Sequence, residues 1–399
     1  MSLFFVQLKQ KTYIVAFAYL FFMSIFAAVA HADEPEDVFW AGLSFLASDN
    51  ASTAPVAEIL RTCSTKPNKI CGVPNLDISE VARDYFLTES FSKINLKNER
   101  ISAGTGLSYI LSPTITTEMV LEADQGYLGY SYTFIISGNV FVLQLDGLDN
   151  NYVHSLPVTV LLEEYYDTQL SKTEQQQYIA DLYLNDKREG INFFKKMAQK
   201  AAELAQVNVE FTNPPRISKV EFSDEVRDIL VQTRDIEAWR KTITSFTEGR
   251  LADWSEKPII PASLGLAPQL IFENGLRTIT LPISSYDFEI DIRRFMKDTP
   301  ETGVVCFMVG TILSVIEIDA IILKAPFFHT QDGCIDIPSG VKRDPSVFFP
   351  MNLFGQLDKI TKLFNGESGA TYIKKSAPKN ATEIQQNIKL VYSKAFGEN

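Results

Sequence analysis

Apolar and polar side chains alternate along residues 286–292, which read YDFEIDI. Successive residues of a strand point to opposite faces, so the apolar set would pack inward and the carboxylates would meet solvent. This alternation predicts a strand in an antiparallel sheet with one buried face. A shorter run, VIEIDA at 315–320, repeats the pattern. The acidic residues of the two runs are Asp287, Glu289, Asp291, Glu317 and Asp319.

If the two runs pair, these five carboxylates form one acidic patch. Such a patch offers the oxygen ligands that divalent cations prefer. However, carboxylates two residues apart on a strand lie about 6.5 to 7 Å apart, which is too far to hold one ion without help. Arg293, Arg294 and Lys297 follow closely and can neutralise them. We therefore predict a solvated sheet face, with a cation or ligand patch and a catalytic pair as the alternatives.

Strand-forming runs separated by short turns fall in two blocks, at about 106–166 and about 268–337. Each block has the pattern of an antiparallel meander. Helical composition follows the first block at about 171–206 and returns at the C-terminus. Blocks of strands followed by blocks of helices predict an α+β fold with two β-meander sheets, each flanked by helices.

The first 32 residues have the order of a secretory signal peptide. Lys9 and Lys11 precede an uncharged apolar stretch, 12–30, and the small-residue site AHA comes just before the acidic DEPED. We predict a cut after Ala32 and a periplasmic or secreted mature protein. The alternative is an uncleaved membrane anchor, because the apolar stretch approaches the length needed to span a bilayer.

Removal of residues 1–32 lowers the number of basic residues from 37 to 35 against 49 acidic residues, which gives a formal charge of −14. A chain this acidic is poorly suited to bind nucleic acid or anionic lipid, so we predict no nucleic-acid partner. We also predict no transmembrane segment after cleavage. Residues 304–316 come closest to one, but they contain Gly310 and run into Glu317, so we interpret them as a buried strand.

The 367 residues left after cleavage exceed what one hydrophobic core usually organises. We expect two α+β domains, 33–213 and 214–399, each containing one meander and its helices. The prolines of NPPR, residues 213–216, cannot continue a central strand and mark the joint.

Four cysteines in an exported chain predict disulfide bonds. Cys63 and Cys71 flank a turn-like segment, so a local bond between them is easy to form. That leaves Cys306 with Cys334, and closing a loop of about 29 residues would stabilise the fold by roughly 3 kcal/mol. The alternative for Cys306 is a buried free thiol within an apolar run. The cysteine spacing does not match a zinc site, and we predict no metal and no cofactor.

The sequence contains no recognisable catalytic set. A Ser–His–Asp hydrolase needs a base, and the mature chain offers two histidines, His154 and His329. Neither lies beside a nucleophile motif such as G-x-S-x-G. Carboxylate pairs of the glycosidase type are the remaining option. The candidates are Glu163, Glu164, Asp287 and Glu289.

Two functions from different classes fit these observations. The first is an exported, soluble, non-catalytic protein of the cell envelope that binds another protein or a surface component through sheet faces or edges. The second is an exported hydrolase that acts on a glycan or peptide through carboxylates. The export signal and the lack of a catalytic set favour the first, and whether the protein is an enzyme stays open at this point.

Overall fold

The computed structural model describes residues 35–46, 53–66, 68–72, 75–98, 108–125, 129–146, 149–185, 190–203, 214–255, 257–262, 269–272, 275–279, 281–301, 304–330, 335–336, 345–365 and 369–396. The predicted signal peptide, 1–32, lies outside these residues. Asp37–Asn399 forms one compact unit. The predicted domain boundary between 213 and 214 falls at the end of a segment that is not described, and it stays a prediction. Among the described residues, no helix combines the length and the apolar character needed to cross a membrane.

The described strands and helices alternate in blocks along the chain. The strands are β1 (Glu36–Trp40), β2 (Ser44–Leu46), β3 (Ile94–Lys97), β4 (Ser108–Asp124), β5 (Tyr130–Asp146), β6 (Asp149–Tyr166), β7 (Arg216–Phe222), β8 (Gln269–Phe272), β9 (Gly275–Thr278), β10 (Tyr286–Glu301), β11 (Val304–Glu317), β12 (Ala320–Thr330) and β13 (Ile335–Asp336). The helices are α1 (Pro55–Arg61), α2 (Ile78–Thr88), α3 (Lys172–Leu184), α4 (Phe193–Ala202), α5 (Asp224–Leu230), α6 (Ile236–Ser255), α7 (Pro345–Thr361), α8 (Ala370–Ser376) and α9 (Ala381–Val391).

The first sheet is built on the antiparallel meander β4–β5–β6. On its other edge, β4 pairs in parallel with both β1 and β2. Gly42, at φ 91°, allows the chain to turn between these two short strands. The hairpin β8–β9 adds to the free edge of β2, where Phe45 pairs with Ile271.

The second sheet has the strand order β12–β11–β10–β7, and β13 pairs with the end of β11. Strands β10, β11 and β12 form an antiparallel meander, whereas β7 runs parallel to β10. Among the described strands, β12 therefore lies at an edge of this sheet. The segment predicted as a buried strand, 304–316, is β11.

These two sheets and their helices confirm the α+β fold class. The sheets are mixed rather than purely antiparallel, because short flanking strands join each meander in parallel. The hairpin β8–β9 falls within the second predicted block of strands, about 268–337, yet it belongs to the first sheet. The position of the hairpin β8–β9 is set by its hydrogen bonding to the short strand β2. The pattern of apolar residues in the hairpin does not predict this pairing.

Local capping signals mark the starts of some of the helices. The side chain of Asp77 accepts a hydrogen bond from the backbone of Ser79 at the start of α2. Ser171 and Glu174 form the capping box expected from their spacing at the start of α3. Gly190, at φ 72°, lies between α3 and α4. Helices α1 to α4 cover one face of the first sheet and share a core with it.

Helix α6 is the central element of the compact unit. Most of its residues from Trp239 to Ser255 are buried, as expected of a helix that is covered on several sides. It packs against β4, β5 and β6 of the first sheet, and also against β7 and α7. A second core links α6 with the inner face of the second sheet and with α7 and α9.

The contact between α6 and β6 depends on a glycine. A Cβ atom added to Gly249 would lie 2.5 Å from Oγ1 of Thr159 and 3.2 Å from its backbone nitrogen. The same Thr159 hydroxyl is 3.0 Å from the Ser137 hydroxyl and 3.5 Å from the carbonyl of Ser245. The helix therefore crosses the strand at short range through small and polar residues.

We expect the Gly249→Ala variant to unfold more easily than the wild type, by about 1 to 3 kcal/mol, because the added methyl group forces α6 away from β6. Urea or thermal unfolding of the disulfide-intact protein measures this. Alanine in place of glycine within a helix ordinarily stabilises by about 1 kcal/mol. A more stable variant would therefore show that the close approach is not a constraint.

Candidate binding face

The second sheet has one covered face and one outward face. Phe288, Ile290 and Ile292 of β10 are buried on the covered side beneath α6 and α7. From α7, the Gln356 side-chain amide donates to the backbone carbonyls of Val309 (3.2 Å) and Phe327 (3.0 Å) and holds the helix on that side. We use the term outer face for the side chains of opposite parity, which are Arg216, Lys219, Glu221, Asp287, Glu289, Asp291, Arg294, Met296, Met308, Ile312, Ser314, Ile316, Lys324, Pro326 and Phe328.

Three of the predicted acidic residues lie side by side on the outer face, and two of them lie opposite cations from β7. The guanidinium of Arg216 donates to both carboxylate oxygens of Asp287, at 2.6 and 3.0 Å. The pKa of Arg216 is raised above its ordinary value mainly by this hydrogen bonding. Lys219 is paired in register with Glu289 and forms an ion pair with Glu221 at 2.9 Å.

The carboxylates of this stripe stabilise the charged form of Lys219. The pKa of Lys219 is raised, first by its hydrogen bond with Glu221 and then by the charges of Glu221, Glu289 and Asp291. Asp291 also forms an ion pair with Arg293. Arg216 and Lys219 of β7 lie in register with Asp287 and Glu289, whereas the β7 residue opposite Asp291 is the acidic Glu221, so the cation paired with Asp291 comes from β10 itself. The arrangement is an ion-paired stripe of charged residues on the outer face.

The other two predicted carboxylates lie elsewhere on the second sheet. Glu317 accepts hydrogen bonds from the Tyr286 hydroxyl (2.9 Å) and from the Lys394 ammonium (2.6 Å), and these bonds lower its pKa. Asp319 lies in the turn between β11 and β12. The structure therefore brings Asp287, Glu289 and Asp291 together and places the remaining two outside their stripe.

An apolar column runs beside the acidic stripe on the outer face. Ile312 of β11 is half-buried and pairs with Pro326 of β12, which is exposed. Two residues before Ile312 on β11, Gly310 lies beneath the ring of Phe328. A Cβ atom added to Gly310 would be 3.1 Å from Cε1 of Phe328. Phe328 remains 51% exposed. Met308 and Met296 pair with each other and extend the column toward the end of β10.

The turn between β11 and β12 is conformationally strained. Ile318 has φ 45° and Asp319 has φ 67°, both in the left-handed region. Two-residue hairpin turns with both positions left-handed are normally Asn-Gly or Asp-Gly. A left-handed residue with a side chain costs about 1 to 2 kcal/mol, and a β-branched residue such as isoleucine is unusual there. The Ile318 side chain is 81% exposed, so no packing in the described residues offsets this cost.

The predicted catalytic carboxylates lie on different sheets. Glu163 is exposed on β6, and its neighbour Glu164 accepts a hydrogen bond from the Tyr178 hydroxyl at 2.6 Å. Asp287 and Glu289 lie on β10 in the stripe described above. A narrow apolar cavity between α6, α7 and the second sheet has Leu251 and Phe288 in its wall, and none of its lining residues is a carboxylate.

The two histidines are also on different sheets. His154 is fully buried on β6, where the next residue, Ser155, donates to the Asn139 side chain at 3.1 Å. His329 lies on β12 opposite Val309. Within the described residues there is no group of three or more histidine, cysteine or acidic side chains arranged to hold a metal ion.

The predicted local disulfide bond is present. Cys63 and Cys71 are bonded, with their Cα atoms 5.8 Å apart, and both residues are buried. Cys306 on β11 is also disulfide-bonded, which replaces the free-thiol alternative. Its predicted partner, Cys334, lies outside the described residues.

A buried acid on β4 is not among the residues that the sequence patterns single out. Glu118 on β4 is only 3% exposed, and its carboxylate accepts hydrogen bonds from the backbone of Val56 and Ala57 and from the Tyr183 hydroxyl. The available signal is the position of Glu118 in the middle of the strand-forming run TITTEMVLEAD, where a charged residue is rarely buried unless it has partners.

Comparison of the chain with models of protein families, with curated proteins and with solved structures gives no match. The outer face therefore has to be interpreted from its own residues.

We expect the Ile318→Asn variant to be more stable than the wild type by about 0.5 to 1 kcal/mol, because asparagine adopts the left-handed conformation at lower cost. Urea unfolding measures the difference. Ile283→Asn is the matched control, since Ile283 is 87% exposed without a left-handed backbone. Equal effects of the two substitutions would mean that exposure of isoleucine, and not the backbone, sets the result.

Proposed function

We propose that the protein is an exported, non-catalytic component of the cell envelope that binds another protein or a surface component through the outer face of its second sheet. The observation that carries this proposal is the apolar column of Ile312, Pro326 and Phe328 beside a neutralised charged stripe. Exposed apolar surface that is contiguous and bordered by polar residues is typical of interaction sites.

The composition of the outer face suits a protein partner. Interface centres are rich in aromatic and methionine side chains and poor in unpaired charge, with polar residues around them. Phe328, Met296 and Met308 supply the adaptable apolar contacts. The paired charges of Arg216 with Asp287 supply a polar border that keeps its hydrogen bonds when water is displaced.

Export is supported by the leader and by the cysteines. A positive end, an apolar stretch and a small-residue site precede an acidic start at Asp33. The bond between Cys63 and Cys71 and the bonded state of Cys306 suit an oxidising compartment. We place the mature protein in the periplasm or outside the cell.

Among the described residues, the candidate carboxylates are not arranged in a way that supports the hydrolase alternative. The two acids of a glycosidase flank one bond at about 5 to 9.5 Å from each other. Here Asp287 is occupied by a bidentate arginine, and Glu164 by a tyrosine hydroxyl. We therefore prefer the binding function.

A photoreactive amino acid placed at Phe328 in the native host is expected to cross-link to a partner, whereas one placed at the exposed Glu163 on the first sheet is not. Adding Ile312→Glu should reduce the Phe328 cross-link by about tenfold or more, because a charge buried at a contact costs more than about 1.4 kcal/mol. Circular dichroism verifies that the variant is folded. Cross-linking that is equal at both positions, or insensitive to Ile312→Glu, would contradict the proposal.

N-terminal sequencing of the protein purified from fractionated native cells is expected to begin at Asp33, with the protein in the periplasmic or external fraction. The matched control is Ala30→Asp with Ala32→Asp, which removes both small residues of the cleavage site and should leave the leader attached. A wild-type protein that begins at Met1 would argue for an anchor and against the proposed export.

A further inference from the structure

We propose that Glu118 is a pH-responsive latch that fastens α1 and its disulfide-closed loop to the first sheet. The latch loosens as the pH rises through neutrality. This inference does not rest on the proposed binding function, because it concerns a different sheet and a buried group.

The geometry of the latch is that of a helix cap supplied from a distant strand. Ala54 precedes α1 and provides no side-chain hydrogen bond to it. Instead, the Glu118 carboxylate accepts one hydrogen bond from the N–H of Val56 and one from the N–H of Ala57, each at 2.8 Å. Backbone N–H groups in the first turn of a helix have no partner within the helix, so these bonds satisfy them.

Two side chains complete the surroundings of the carboxylate. The Tyr183 hydroxyl, from α3, donates to Oε1 of Glu118 at 2.9 Å. The Arg234 guanidinium, from the segment between α5 and α6, donates to the backbone carbonyl of Glu118 at 3.0 Å. From β5, the residue paired with Glu118 is the apolar Ile136. Helix α1 presents only backbone N–H groups to the carboxylate. Tyr183 and Arg234 are therefore the titratable and charged groups that face it among the described residues.

The latch joins a short helix and a disulfide-closed loop to the first sheet. Helix α1 has seven residues and is followed directly by the loop that the Cys63–Cys71 bond closes. Val56, Ala57 and Leu60 pack into the core with the two cysteines. Opening of this segment would admit water to Glu118, so the ionisation of Glu118 is coupled to the opening.

The direction of the pH effect follows from burial. Desolvation raises the pKa of Glu118 from 4.5 to about 7, against the smaller lowering effect of its hydrogen bonds and of Arg234. In the opened segment the carboxyl returns to its ordinary pKa, so the closed form binds the proton more tightly. The stabilisation is complete below about pH 4.5 and is lost as the pH rises through about 7. The ratio of closed to open segment falls by about two orders of magnitude over that range.

Hydrogen exchange of the mature, disulfide-intact protein tests the latch. Protection factors for the amides of residues 55–61, corrected for the intrinsic pH dependence of exchange, are compared at pH 5 and pH 8. The wild type is expected to lose protection by at least about tenfold at pH 8. In Glu118→Gln, which keeps the size of the side chain without its ionisation, protection should change by less than about twofold.

Two further variants make the outcome decisive. Glu163→Gln removes an exposed carboxylate and should behave as the wild type does. Tyr183→Phe keeps the buried acid and removes a donor to its charged form, so the loss of protection should move to higher pH. A pH dependence that persists unchanged in Glu118→Gln, or a wild type whose protection is equal at pH 5 and pH 8, would overturn the proposal.

Discussion

The close crossing of α6 over β6 is the constraint on which the two-sheet arrangement depends. Gly249 brings the helix axis near the strand, and Thr159 fills the remaining space with a hydroxyl that bonds on both sides. One side of α6 therefore packs on the first sheet, while Leu251 and its neighbours face the second sheet. Since α6 and α7 occupy the inner face of the second sheet, the apolar residues of its other face have no helix from this pair to cover them.

The sequence predicts the elements of this fold better than their partners. Alternation in YDFEIDI correctly indicates the strand β10, because this signal is local. The addition of β8–β9 to the first sheet and the parallel pairing of β7 with β10 depend on residues far apart in the chain. Local periodicity carries no information on such pairings.

The candidate functional residues likewise show local patterns in the sequence, whereas their partners lie far away along the chain. Alternation along the strand places Asp287, Glu289 and Asp291 on one face. The cations opposite Asp287 and Glu289, however, come from β7, which is about 70 residues earlier in the sequence. Glu118 could be noticed as a charge within a strand, yet its partners on α1 and α3 are about 60 residues away on either side. Burial and hydrogen bonding of this kind appear only when the chain is folded.

The position of Pro326 on β12 has a consequence for behaviour at high concentration. An edge strand presents unpaired backbone groups, and a long apolar edge can recruit the same strand from another molecule. Proline has no N–H to donate, and Lys324 places a charge two residues before it on the same edge. The second sheet can therefore expose an apolar outer face while its edge strand β12 disfavours strand pairing with other molecules.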